Sequence, residues 1–196
     1  MNTPKIPGTV VALALAGFAV AACQPVDGTT PDKKDSKKHS STNIRRKPAG
    51  PILNQGQTGA CTGFAVAGIL GGSNKDAFRI YTLATKLDHV PGEYPAEDTG
   101  STFRAAMKAA KKLNYIESYR LIHTPSGALR ELKKHRVAVA LHWPYETDSH
   151  AMVMIGRKGN KLVFQNSWGR RFGNHGLVNI PMDEYEKSFE DAAIVT

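Results

Sequence analysis

An α+β fold follows from a change of period partway along the 196-residue chain. Before His135 the apolar residues recur at the three-and-four spacing of helices. After it they alternate in short runs bounded by Gly, Asn and charged turns. Helices grouped first and strands second predict two segregated halves, with a cleft between them as the natural place for a site.

The chain opens with an export signal. Lys5 gives a weakly positive start, and TVVALALAGFAVAAC (residues 9–23) is apolar, built of small residues and short for a bilayer span. The signal is expected over residues 1–22 and ends in Val20-Ala21-Ala22-Cys23. That tetrapeptide resembles the bacterial lipobox, in which the cysteine is lipidated and becomes the mature N-terminus. Cys23 is therefore the expected lipidation site, with ordinary cleavage after Ala21 or Ala22 as the alternative. Gln24 after the cysteine resembles the outer-membrane sorting case. The expected location is thus outside the cytoplasm, on the cell or outer membrane, and otherwise periplasmic or secreted. Residues 23–50, rich in Pro, Asp, Thr, Ser and Lys, read as a disordered basic tether. The folded domain is expected over residues 51–196, beginning where Ile52 and Leu53 bring the first apolar side chains since the signal.

Four helices are expected. From Cys61 to about Leu70, Gly63, Ala65, Ala67 and Gly68 interleave with Phe64, Val66, Ile69 and Leu70, so this helix is apolar nearly all round and reads as a buried spine. Gly71-Gly72 ends it. From Lys75 to Leu87, Ala77, Ile80, Tyr81, Ala84 and Leu87 share one face. After the long loop VPGEYPAEDTG, Phe103, Ala106, Met107, Ala110 and Leu113 line another, with Arg104, Lys108, Lys111 and Lys112 outside. A shorter helix spans about Ser126–Lys134. The strands are VAVALHW (137–143), AMVMIG (151–156), KLVFQN (161–166), GLVNI (176–180) and AAIV (192–195).

The net charge of +9 has the magnitude of a nucleic-acid binder but not the distribution. Seven Lys or Arg against two Asp lie between Asp32 and Lys47, in a stretch almost without apolar residues. Zinc-finger spacing, aromatic-basic interleaving and a recognition-helix pattern are all missing, so no nucleic-acid partner is expected. No metal or cofactor is expected either, and the protein reads as a monomer.

Two cysteines are present. If Cys23 carries lipid, Cys61 is the last thiol and no intramolecular disulfide can form, so the exported domain is held by packing alone. A lone exported thiol is open to oxidation, which a working role explains better than packing does. A cysteine nucleophile needs a base within reach, a group to orient that base, and donors for the oxyanion. Placed at a helix N-terminus, Cys61 is expected to have a lowered pKa. Among the seven histidines, His150 stands out because it opens a strand after a polar loop. Sixteen residues on, Asn166 ends the next strand. Two adjacent antiparallel strands would bring the two together, and an amide oxygen there would fix the imidazole.

These residues also carry a resemblance. QGQTGACTGFA resembles the cysteine motif of the papain-like cysteine peptidase family, and SHAMVMIG…NSWGRRFGNHGLVNI resembles that family's His and Asn motifs, in the same order and spacing over most of residues 51–181. The resemblance implies a two-lobed fold with a helical N-terminal lobe, an antiparallel β C-terminal lobe and the active-site cleft between them. It implies Cys61 as nucleophile ion-paired with His150, Asn166 as orienting residue and Trp168 as a shield over that hydrogen bond. Gln55 would supply an oxyanion-hole amide beside the Cys61 backbone N–H, and Gly100 would pair with an extended peptide. Trp168 and Ser149 join Gly100 as candidate substrate-binding residues. The implied activity is endopeptidase hydrolysis of a protein or peptide. The alternatives are acyl transfer or amidase chemistry at the same site, or a non-enzymatic peptide-binding lipoprotein.

Three departures separate the chain from the family pattern. Thr62 stands where the family usually has Trp, and Thr58 where it has a disulfide-forming Cys. Only PYETDS lies between Trp143 and His150, where the family carries a longer excursion that walls the substrate site. The tether is too short and too polar to fold across a cleft as the family's proregions do.

Overall fold

The computed structural model describes residues 43–142 and 149–196. The signal, Cys23, most of the tether and residues 143–148 lie outside the described residues. In chain order the elements are β1 (Ile44–Arg45), α1 (Cys61–Leu70), α2 (Asn74–Ala84), α3 (Phe103–Lys112), β2 (Tyr119–Ile122), α4 (Pro125–Leu132), β3 (Val137–His142), β4 (Ser149–Lys158), β5 (Lys161–Gln165), β6 (Leu177–Pro181), α5 (Met182–Ser188) and β7 (Phe189–Val195).

The α+β reading holds, and local chemistry sets the helix ends. Gly71, left-handed at φ 75°, closes α1 with its N–H turned back onto the last turn. Ser73 and Asp76 form a reciprocal capping box on α2, while Thr102 and Thr124 cap α3 and α4. No side chain caps α1, whose N-cap is Ala60. Its first backbone N–H groups are therefore left for whatever occupies the space beside Cys61.

The strands form one antiparallel sheet in the order β2-β7-β3-β4-β5-β6. Alternation along β3 and β4 divides the interior into two cores. Ala138, Ala151, Val153, Ile155 and Ala193 face the layer of α1–α3. Val137, Val139, Leu141, Met152 and Met154 pack on the opposite side, with Leu132 of α4 and Met182 and Tyr185 of α5. Alanines on the helix side let α1 lie close over the sheet. Burying Phe64 and Val66 of α1 contributes about 1.5–3 kcal/mol each, which makes the spine expensive to move. Where α1 crosses α2, a Cβ on Gly63 would lie 2.7 Å from the Ala77 carbonyl oxygen, so only glycine permits that approach.

Two expectations need correction. The folded chain begins before Pro51: Ile44 and Arg45 pair with Arg157 and Gly156 of β4, so this part of the presumed tether belongs to the sheet. Arg46 donates from Nε to the Leu132 carbonyl at 3.1 Å and from Nη2 to the Lys133 carbonyl at 2.5 Å, tying the basic segment down by its own charged groups. The division of helices from strands is also less clean than expected, because β2 precedes α4 and α5 precedes β7. Among the described residues no helix is long and apolar enough to cross a membrane.

Candidate active site

A cleft of about 1210 Å³ opens between the helical layer and one end of the sheet. Cys61, Gln55, Gly59, Asp98, Gly100, Ser149, His150, Trp168 and Phe172 all contribute to its walls. Cys61 is half-buried at the first position of α1. His150 reaches the cleft because it sits at the start of β4 opposite Leu141 of β3. Asn166 follows β5 directly, so the β4–β5 pairing carries it alongside His150.

The hydrogen bonds fix the imidazole tautomer. His150 Nε2 lies 2.8 Å from Asn166 Oδ1, and the Ser167 backbone N–H donates to the same oxygen at 2.7 Å. A backbone N–H can only donate, so that atom is the amide oxygen and the proton of the imidazole bond resides on Nε2. Nδ1 is left as the basic nitrogen. Both residues are almost sealed from solvent, at 5% and 1% exposure. Trp168 stacks on the imidazole with centroids 4.5 Å apart and 28° between planes, and Phe172 meets Trp168 edge-on at 4.6 Å. Trp168 thus lies against one face of the imidazole that Asn166 orients.

Gln55 is held from three sides. Its backbone N–H donates to the Ser167 carbonyl at 2.8 Å, and its Oε1 accepts from Ser167 Oγ at 2.6 Å. Its Nε2 donates to the Thr58 carbonyl at 2.6 Å, and Thr58 Oγ1 returns a bond to the Gln55 carbonyl at 2.7 Å. Thr58, where the resemblance expects a cysteine, thus closes the loop by hydrogen bonds. Ser167 escaped the sequence reading although it lies inside the NSWG motif. Its hydroxyl ties the Asn166 segment to Gln55, a link between positions 112 residues apart that no local pattern announces.

The far wall is built on the loop before α3. Asp98 Oδ2 accepts from the Gly59 N–H at 2.9 Å, and Asp98 Oδ1 accepts from the Tyr81 hydroxyl at 2.5 Å. The same hydroxyl accepts from the Gly100 N–H at 3.1 Å. Gly100 adopts φ +82° with open space around its Cα, a conformation that favours glycine and leaves the backbone uncovered at the cleft. Ser149 lines the cleft, but its hydroxyl donates to Glu190 at 2.5 Å, so that group is already engaged. Among the described residues no group of three His, Cys, Asp or Glu side chains is placed to hold a metal ion.

Burial dominates the titration of both central groups. It pushes the Cys61 thiol up, against the pull of the backbone N–H groups of Ala151, Thr62 and Cys61 itself, and the charge of Asp98 adds to the rise. Burial pushes the His150 imidazole down, and the bond to Asn166 opposes that only in part. The expected lowering of the thiol by the helix N-terminus is therefore outweighed by desolvation. Each direction favours the neutral group at rest, in contrast to the resting ion pair that the resemblance implies.

With this geometry in hand, the likeness to solved structures is specific. Xylellain, a cysteine protease from Xylella fastidiosa, superposes with a TM-score of 0.61 at 15% identity, covering 85% of this chain and 94% of that one. A C39-like peptidase from Bacillus anthracis gives 0.58 at 13%, covering 79% and 98%. The Carica candamarcensis cysteine protease CMS1MS2, in complex with E-64, gives 0.54 at 15%, covering 74% and 92%. The fold is that of the papain-like cysteine proteases. No family model matches the sequence, and no curated protein matches it.

Proposed function

We propose that the protein is a cysteine peptidase that hydrolyses peptide bonds through Cys61, His150 and Asn166, with Gln55 assisting. The observation that carries this reading is the 2.8 Å bond from His150 to Asn166, which leaves Nδ1 basic in the cleft that also holds Cys61. His150 Nδ1 takes the thiol proton as Cys61 Sγ attacks the scissile carbonyl. Because burial favours the neutral pair, transfer accompanies attack, and the imidazolium forms only while negative charge is developing beside it. The oxyanion is met by the Cys61 N–H at the uncapped start of α1 and by the second N–H of the Gln55 amide. Collapse breaks the C–N bond, and His150 gives its proton to the departing amine. Water, deprotonated by His150, then splits the thioester and restores the thiol. Gly100, whose N–H is taken by the Tyr81 hydroxyl, offers its backbone carbonyl to an extended chain, and Trp168 excludes water from the His–Asn bond.

The reading extends to the N-terminus. The Val20-Ala21-Ala22-Cys23 motif supports export and a lipid on Cys23, which would hold a monomeric enzyme at a membrane surface and confine its action there. A mass measurement of the mature N-terminus tests the anchor: a diacylglyceryl adduct beginning at Cys23 supports it, and a free Cys23 thiol refutes it.

The test of the chemistry is turnover of a fluorogenic peptide library by wild type and Cys61→Ala, with products analysed in the presence of added amines. Carboxylic acid products from wild type alone support a peptidase. Amine adducts in place of acids point to acyl transfer at the same cysteine, and turnover surviving in Cys61→Ala overturns the mechanism.

A further inference from the structure

The chain carries a net charge of +9, yet the residues described along the cleft include one carboxylate, Asp98, and no lysine or arginine. Asp98 is exposed on that wall and takes part in no ion pair among the described residues. Nor is it free to swing. The Gly59 N–H holds one oxygen, and the hydroxyl of the fully buried Tyr81 holds the other. A carboxylate offers about four acceptor positions, so two donors leave half its capacity open.

The anchoring fixes where that capacity lies. Gly59 is two residues before Cys61, and Gly100 hangs from the same tyrosine hydroxyl. Gly59, Asp98 and Gly100 thus form one hydrogen-bonded stretch of the cleft wall, joined through the Tyr81 hydroxyl and lining the same cleft as Cys61. Asp98 stands there, and the forked donors of a guanidinium suit a fixed carboxylate. We infer that Asp98 makes this cleft select a lysine or arginine side chain on the residue whose carbonyl Cys61 attacks. The inference rests on the peptidase reading and adds to it the class of substrate.

Three matched fluorogenic peptides with Arg, Gln or Glu at that residue decide the matter. Wild type should cleave the Arg peptide with kcat/KM about tenfold above Gln, and Glu should be poorest, the spread narrowing as salt screens the pair. In Asp98→Asn the Arg-to-Gln ratio should fall to about one. Comparing ratios within one variant cancels any general damage to the loop, which a purely structural role of Asp98 would produce for all three peptides alike. An Arg-to-Gln ratio near one in wild type, or a ratio unchanged in Asp98→Asn, overturns the inference while leaving the peptidase reading intact.

If no peptide is cleaved, the peptidase reading fails and alkylation of Cys61 decides the charge question alone. Reaction with 2-bromoethylammonium relative to iodoacetamide should be faster in wild type than in Asp98→Asn. Equal relative rates would overturn the inference. Asp98→Glu keeps the charge and supplies the comparison if Asp98→Asn does not fold.

Discussion

The two walls of the cleft are built on different principles. On the sheet side, His150 and Asn166 stand on hydrogen-bonded strands, are nearly sealed, and are covered by Trp168. On the helix side, residues 88–102 form a largely exposed loop held mainly by side-chain hydrogen bonds. Asp98 holds Gly59, Asp88 holds Ser101, and Thr85 holds the Tyr94 N–H. Strand pairing holds the sheet-side groups in fixed register, the kind of placement that a proton transfer needs. The loop side presents backbone and charge to a substrate, where replacement of one residue changes selectivity without dismantling the fold. On the proposed reading, proton transfer is lodged in the regular part of this molecule and selectivity in the irregular loop before α3.

Substitutions on the sheet side and at the nucleophile should cost rate, and those on the loop should change ratios. The largest effect is expected for His150→Ala, a loss of at least about 10⁴-fold in kcat/KM on any peptide. Gln55→Ala should lower kcat by about 10²–10³-fold with little change in KM, because the oxyanion exists only on the reaction path. Ser167→Ala should follow in the same direction by a smaller factor, since it frees the Gln55 oxygen and loosens the amide. If Gln55→Ala instead raises KM alone, Gln55 is a binding residue and the division between the walls fails.

Packing beneath the nucleophile can be tested separately. Gly63→Ala should destabilise the domain by about 1–3 kcal/mol in denaturant unfolding, because its Cβ would press on the backbone of α2. A neutral outcome would mean that α1 can shift, and with it Cys61.

The smallest effect concerns pH. The folded-state pKa of His150 lies below its ordinary 6.5. The unfolded chain therefore binds the proton more readily, so the contribution is present above the ordinary value and lost as pH falls through the folded one. Thermal melting of wild type should thus decline more between about pH 8 and about pH 5 than that of His150→Gln. An equal decline would place the acid sensitivity elsewhere.

Much of this was legible in the sequence because local pattern and tertiary role agree. Cys61 opens an apolar helix that needs only its small residues to be recognised, and the β4–β5 pair carries its register in alternating residues around a short turn. The missed elements lack such a pattern. β1 contributes two residues, Ile44 and Arg45, and its pairing is supplied by the edge of β4. β2, Tyr-Arg-Leu-Ile, is a strand because β7 lies beside it. α5 buries only Met182 and Tyr185 in seven residues. Asp98, Tyr81 and Ser167 act across sequence separations of 17 to 112 residues, where no periodicity reaches. The direction of the Cys61 shift was misread for a related reason: the helix N-terminus is visible in a sequence, whereas the depth of burial that outweighs it is a property of the folded chain.

The central claim is that Cys61 forms a covalent acyl intermediate resolved by water. Rapid quenching of wild type mixed with an activated peptide ester, followed by intact and peptide mass spectrometry, reads it directly. The account predicts a single acyl group on Cys61 that disappears on further incubation, with one oxygen from labelled water in the released acid. An ester consumed with no acyl group on Cys61, or with the group on another residue, would contradict it.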